Sequence, residues 1–280
     1  LGMNAATAAK AQGWPEGMGV AALYVVGLGP GSEECLTPRA VRALSESACI
    51  AGYARYLALV PEALRAGKRI VSNGMRQEEE RCAAAVESAL SGTPTALVCS
   101  GDPGIYALAG LALEQLEARG LLETLPLEIV PGVPALCASA ALLGAPLMHD
   151  FACVSLSDLL TPWETIERRL RAAFAADFVV ALYNPRSRGR DWQLDRALEL
   201  ARAERAPACP VGIVRNACRE GQRVRVTTLE AVCSPEVDML SLVIVGNSET
   251  RRMGRYMATP RGYAARRMRE KTPCEKLRGC

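Results

Sequence analysis

The chain has 280 residues, enough for one large domain or two modest ones, and half of it is hydrophobic against 22% charged, the balance of a globular protein with a substantial core. Its 33 basic and 30 acidic residues leave a net charge of +3, with Arg and Glu interspersed through most of the length. A phosphate polymer calls for a concentrated basic face, so nucleic acid is not an expected partner. No apolar run reaches the length of a bilayer span, so no membrane is expected either.

The eleven cysteines contain no C-x-x-C pair and the chain has a single histidine. That spacing is poor for zinc, and the odd number speaks against a disulfide framework. Most sit in apolar runs, as Cys99 does, and read as small buried hydrophobes in a reducing cytoplasm. No metal site is expected.

Residues 1–22 are Ala/Gly-rich and aperiodic, which suits a tail, a linker or part of a longer polypeptide. From Leu23 onward, short apolar or β-branched runs alternate with amphipathic stretches, which predicts an α/β protein with largely parallel strands. The first strand covers 23–26 and runs into Gly27-Leu28-Gly29-Pro30-Gly31. Thr37-Pro38 then opens a helix, with a capping hydroxyl and proline at the first helical position. Strands are expected at 49–51, 69–71, 95–99 and 127–130, with helices over 77–90 and 105–119 and Gly120 closing the latter.

Pro131-Gly132-Val133-Pro134 leads into a helix of small residues over 135–143. Beyond it strands are expected near 152–155, 178–182, 211–214, 223–226 and 242–245, with helices over 163–175 and 191–203. The late strands lie close together, so the second sheet should be mixed. The expected organisation is a tail at 1–22, an α/β domain at 23–147, a second at 148–263, and a basic tail at 264–280.

Ligands in open α/β sheets bind beyond the carboxyl ends of the strands. The loop at Gly27–Gly31 fails the dinucleotide fingerprint G-x-G-x-x-G, because Ser32 stands at the third glycine, and by itself it is also compatible with a plain tight turn. A nicotinamide-dependent oxidoreductase would further need an acidic residue after the second strand, where Gly52-Tyr53 stand. Ser100-Gly101-Asp102-Pro103-Gly104-Ile105 is more distinctive. Its glycines admit a ligand to the backbone, and Asp102 suits either a cap for the helix near Ile105 or direct ligand contact. Small side chains after Pro134 let something bulky lie along that helix.

These three loops, in this order, resemble the tetrapyrrole methylase family. Further segments are similar to the branch that methylates C-17 of a corrin precursor with ring contraction: Asn73–Arg76, Gly144–Phe151, Ser155–Trp163, Leu182–Ser187, Val211–Ala217 and Gly246–Ser248. The resemblance covers about Leu23 to Tyr263. It implies two α/β domains with a cofactor cleft between them, a homodimer, S-adenosylmethionine as methyl donor, and precorrin-3B or cobalt-factor III as substrate in cobalamin synthesis. Carried over by motif, Pro30, Ser100, Gly101, Asp102, Ile105, Pro134, Ala135, Asn184 and Ala217 would contact the donor. Pro134 stands where relatives often carry threonine, which removes a hydroxyl contact.

The implied substrate bears acetate and propionate groups, which the planar guanidinium of arginine suits. Gly29, Arg76, Arg186 and Arg215 are the expected substrate contacts, whereas Arg188 and Arg190 read as solvated or ion-paired surface arginines. Ring contraction moves protons as well as a methyl group. His149, with its near-neutral titration, and the weaker candidates Asp150 and Asp158 are the expected catalytic residues, although a structural role for the lone histidine stays open. A sibling methylase acting on another ring carbon and a non-catalytic tetrapyrrole carrier are the rival readings.

Overall fold

A computed structural model describes residues 23–74 and 77–263. The two expected tails, Arg76, Cys274 and Cys280 lie outside the described residues. Two compact units emerge: the first runs to Ala138 and takes in Ala217–Glu220, and the second takes Ser139–Asn216 and the chain from Gly221 onward.

The first unit is built on five parallel strands: β1 (Leu23–Gly27), β2 (Cys49–Tyr53), β3 (Arg69–Asn73), β4 (Thr95–Cys99) and β5 (Leu127–Val130), in the order β3-β2-β4-β1-β5. Both faces are covered, so β1 and β4 are buried at every position and apolar but for Thr95, whose hydroxyl is hydrogen-bonded. Alternate residues of β1 part to opposite sides. Tyr24 and Val26 pack with Ala40, Ala43 and Leu44 of helix α1 (Pro38–Glu46), and Leu23 and Val25 pack on the other face. That second face is closed by α4 (Glu78–Leu90) through Cys82, Ala85, Val86 and Ala89, and by α5 (Ala109–Ala118) through Ala112 and Leu116. Two short helices, α2 (Ala54–Leu57) and α3 (Glu62–Arg65), link β2 to β3.

Neighbouring β1 and β4 therefore send their chains to helices on opposite faces. That divergence is the topological switch point of the sheet, where a crevice opens beyond the strand ends. Thr37 caps α1 as expected, accepting from the Ala40 amide at 3.1 Å, with Pro38 in the first helical position. The helix expected from Ile105 starts four residues later, at Ala109. Asp102 does not cap it: its carboxylate is engaged within the loop and across to the next one.

Helix α6 (Ala135–Leu143) carries the chain across the division at Ala138. The second unit holds β7 (Phe151–Ser155), α7 (Trp163–Ala175), β8 (Val179–Tyr183), α8 (Gln193–Glu204), β9 (Pro210–Arg215), β10 (Arg223–Thr228) and β11 (Ser241–Val245). Its sheet runs β10-β9-β11-β8-β7, parallel only between β7 and β8, and is thus mixed, as the crowding of late strands predicted. One face packs on α7 and α8 through Ile166, Leu170, Phe174, Leu194 and Leu198. On the other, Gly212 leaves room for Leu143 and Met257, whose atoms would lie 2.4 and 2.7 Å from a Cβ there. A small third sheet of β12 (Arg251–Met253), β13 (Tyr256–Ala258) and the two-residue β6 (Gly144–Ala145) has no counterpart in the sequence reading. No helix among the described residues is long and apolar enough to cross a membrane.

Candidate functional site

Three loops of the first unit converge at the switch point, and their closest approach is through backbone. Gly29 and Gly101 form an isolated two-residue bridge, with the Gly101 amide donating to Gly29 O at 2.7 Å and the Gly29 amide to Gly101 O at 3.1 Å. Both have φ near +70°, a conformation that costs an L side chain dearly. Gly132, from the loop after β5, completes the junction. A Cβ on it would lie 2.1 Å from Gly101 O, and one on Gly27 would lie 2.6 Å from the same oxygen. The glycines of all three motifs are therefore required by one close approach of three chain segments.

Asp102 locks this junction. One carboxylate oxygen accepts from the Gly104 amide at 2.9 Å, closing a tight turn, and the other accepts from the Gly132 amide at 3.2 Å, tying the β4 loop to the β5 loop. Thr37 adds a tie from α1, donating its hydroxyl to Pro131 O at 3.3 Å. Ile105 follows in a turn whose amide donates to Asp102 O. Pro134 and Ala135 lie against Gly101, within 3.7 and 3.8 Å of its Cβ direction. Of the expected donor contacts, Pro30, Ser100, Gly101, Asp102, Ile105, Pro134 and Ala135 thus gather around one junction, together with the expected substrate contact Gly29.

Ala217 belongs to the same unit, and the residue two places on brings a side chain the sequence reading missed. Arg219 donates from Nε to Pro30 O and from Nη2 to the Ser100 hydroxyl at 2.6 Å. Its stem lies over Gly31, where a Cβ would meet Nε at 2.4 Å and Cγ at 2.7 Å. The stretch after β9 offered no periodicity to mark this arginine, and its partners lie 189 and 119 positions away in sequence. Beneath the loops, burial pushes the Cys99 thiol up to about 12, keeping it protonated; it points at Val26 O, 3.6 Å away.

The second unit holds the remaining expected residues in a different arrangement. Asn184, just past β8, takes a left-handed φ of +50° and donates from its amide to the Ser155 hydroxyl at 2.9 Å, bridging the ends of β8 and β7. Arg190 corrects the sequence expectation. It is not a surface residue but is 5% exposed, with Nε on Asn184 O at 3.0 Å, Nη1 near Ser157 at 3.4 Å and Nη2 against Met239 Sδ at 2.9 Å. Desolvation in that setting pulls its titration down, with nearby Asp158 opposing. Asp158 itself accepts from Gln193 Nε2 at 2.8 Å, in the stretch between β7 and α7.

Arg186 and Arg215 each face a carboxylate of their own unit, Asp195 at 3.9 Å and Asp238 at 2.8 Å. The Arg215 contact helps hold the Asp238 carboxyl below its ordinary range against the opposing effect of burial. Arg188 is exposed. His149 is half-exposed, with Nδ1 accepting from the Asp150 amide at 2.9 Å, and the Asp150 carboxylate is largely in solvent.

Residues 22–233 match the family model described as Tetrapyrrole (Corrin/Porphyrin) Methylases. The chain is 48% identical over 241 residues to a Salmonella typhimurium protein named probable cobalt-factor III C(17)-methyltransferase, covering 86% of this chain and 99% of that one. A Sinorhizobium protein named precorrin-3B C(17)-methyltransferase is 42% identical over 252 residues, covering 86% of this chain and 97% of that one. Among solved structures, the crystal structure of the methyltransferase CobJ superposes with a TM-score of 0.82 at 40% identity, over 86% of this chain and 100% of that one. With a glycine junction built from its three loop motifs and a match spanning most of its length, the chain belongs to the tetrapyrrole methylase family of methyltransferases.

Proposed function

We propose that this chain transfers a methyl group from S-adenosylmethionine to C-17 of a corrin precursor, precorrin-3B or cobalt-factor III, with contraction of the macrocycle in cobalamin synthesis. The observation that carries the reading is the convergence of Pro30, Ser100, Gly101, Asp102, Pro134 and Ala135 on one switch point, in a chain 48% identical to a relative named for that reaction.

The residues present fit the donor. Glycine-lined backbone offers amides and carbonyls to a nucleoside and an amino-acid chain, while Ile105, Pro134 and Ala135 offer apolar walls. Cys99, which ends β4 below these loops, is kept protonated by burial and so offers no competing thiolate nucleophile. The donor supplies an electrophilic methyl on a good leaving group. The protein's share is then orientation: Asp102 fixes the β4 loop against the β5 loop, and Asn184 fixes the end of β8. Holding carbon and methyl in attack geometry supplies about 7 kcal/mol or more of barrier reduction. For ring contraction, His149 presents Nε2 for proton exchange while its Nδ1 is engaged by the Asp150 amide. Asp150, exposed, and Asp158, tied to Gln193, are its proposed auxiliaries, with Arg76, Arg186 and Arg215 as partners for ring carboxylates and Ala217 beside the donor.

Incubation with labelled S-adenosylmethionine and each precursor should transfer one methyl group and change the macrocycle's absorbance. Calorimetry should detect S-adenosylhomocysteine. No association with either form of the donor would retire the reading, and a His149→Ala variant with full turnover would retire only the histidine assignment.

A further inference from the structure

Among the described residues, no carboxylate pairs with the guanidinium of Arg219. Nε and Nη2 are spent on Pro30 O and the Ser100 hydroxyl, both neutral acceptors. Among the described residues Nη1 donates no hydrogen bond. Desolvation pulls its titration down, opposed only by the Tyr56 phenol. A partly buried, hydrogen-bonded charge is costly unless something pairs with it. The fold nonetheless makes room for it: Gly31, at φ +134°, lets the stem cross the first loop where any side chain would collide.

Resting on the function proposed above, we infer that Arg219 is a carboxylate-receiving residue of the ligand site, its free Nη1 edge taking a carboxylate of a bound molecule beside Pro30 and Ser100. Two sources share that chemistry: the α-carboxylate on the methionine part of the donor, and an acetate or propionate of the macrocycle. The position also has a charge logic. The donor arrives with a sulfonium cation at loops that already hold a guanidinium, so a carboxylate on Arg219 removes a repulsion that would otherwise oppose binding. An Arg fork suits the role because two of its donors are anchored to the loops, which fixes the plane in which a third can receive a carboxylate.

The test is calorimetry of the full chain with S-adenosylhomocysteine and with its decarboxylated analogue, in wild type, Arg219→Met and Arg219→Lys, alongside steady-state kinetics on the corrin precursor. If the donor's carboxylate is received, wild type prefers S-adenosylhomocysteine to the analogue by about tenfold or more, and Arg219→Met erases that preference. If the macrocycle's carboxylate is received, Arg219→Met leaves both affinities as in wild type but raises KM for the precursor by about tenfold with kcat held. Arg219→Lys retains the charge, and its folding separates a lost contact from a lost structure. An Arg219→Met protein whose ligand preference and KM both match wild type overturns the inference, as does one in which both affinities fall equally. A wild type that binds no S-adenosylhomocysteine would instead sink the function on which it rests.

Discussion

The carboxyl ends of the two main sheets are held by opposite means. In the first unit, loops after β1, β4 and β5 touch through glycine backbone, with Asp102 tying the β4 loop to the β5 loop and Arg219 tying the β1 loop to the β4 loop. In the second, the turn after β8 is suspended from side chains: Asn184 on Ser155, Arg190 on Asn184 O, Gln193 on Asp158. A junction of backbones has little slack, because its glycines have no rotamer to change. A turn held by long side chains can absorb a conservative exchange. The first arrangement suits a surface that a ligand must approach closely; the second suits a loop whose conformation needs upholding against the strain of a left-handed asparagine.

The sharpest way to break the comparison is Gly132→Ala. Its added methyl would stand 2.1 Å from Gly101 O, a backbone atom that no side-chain motion relieves. A loss of about 3 kcal/mol or more is expected in chemical denaturation, with S-adenosylhomocysteine binding abolished. A variant of wild-type stability would show that the three loops have freedom the geometry denies.

A smaller, graded effect is expected at Arg190. Arg190→Met leaves Asn184 O without its buried donor and should cost about 2 kcal/mol, whereas Arg190→Lys should recover part of it. Equal losses for both variants would mean that the second unit's turn is as intolerant as the glycine junction.

Smallest is a pH effect confined to the second unit. Hydrogen bonds from Arg196 and Arg171, with a further one from the Trp163 indole, hold the Glu167 carboxyl down to about 2 from an ordinary 4.5. Because the folded value is the depressed one, this contribution is complete above about pH 4.5 and is lost as pH falls toward 2. Solvent screens the cluster, so the slope should be shallow. Stability measured across that window should flatten in Glu167→Gln. An unchanged slope would assign the acid sensitivity to other carboxylates.

Much of this was legible in the residues. β1 and β4 announce themselves because strands buried on both faces must be largely apolar, and Thr37-Pro38 marks a helix start because capping is local chemistry. The start of α5 was misplaced for the reverse reason. Residues 105–108 carry no feature barring them from a helix, but Asp102 is drawn away from capping by the Gly132 amide, thirty positions distant. β6, two residues long, has no period to detect; it exists because β13 lies beside it. Arg186, Arg188 and Arg190 alternate in one loop and look alike as letters, yet one faces a carboxylate, one is exposed and one is buried.

Local rules, acting over a few residues, were thus enough to determine the α/β alternation, the three glycine loops and, through their order, the family. Which glycines touch, which arginine is buried under Asn184 and which one crosses Gly31 to reach Pro30 and Ser100 were decided only on folding. Those facts depend on distances between residues up to 189 positions apart, and such distances exist only once the sheets have closed.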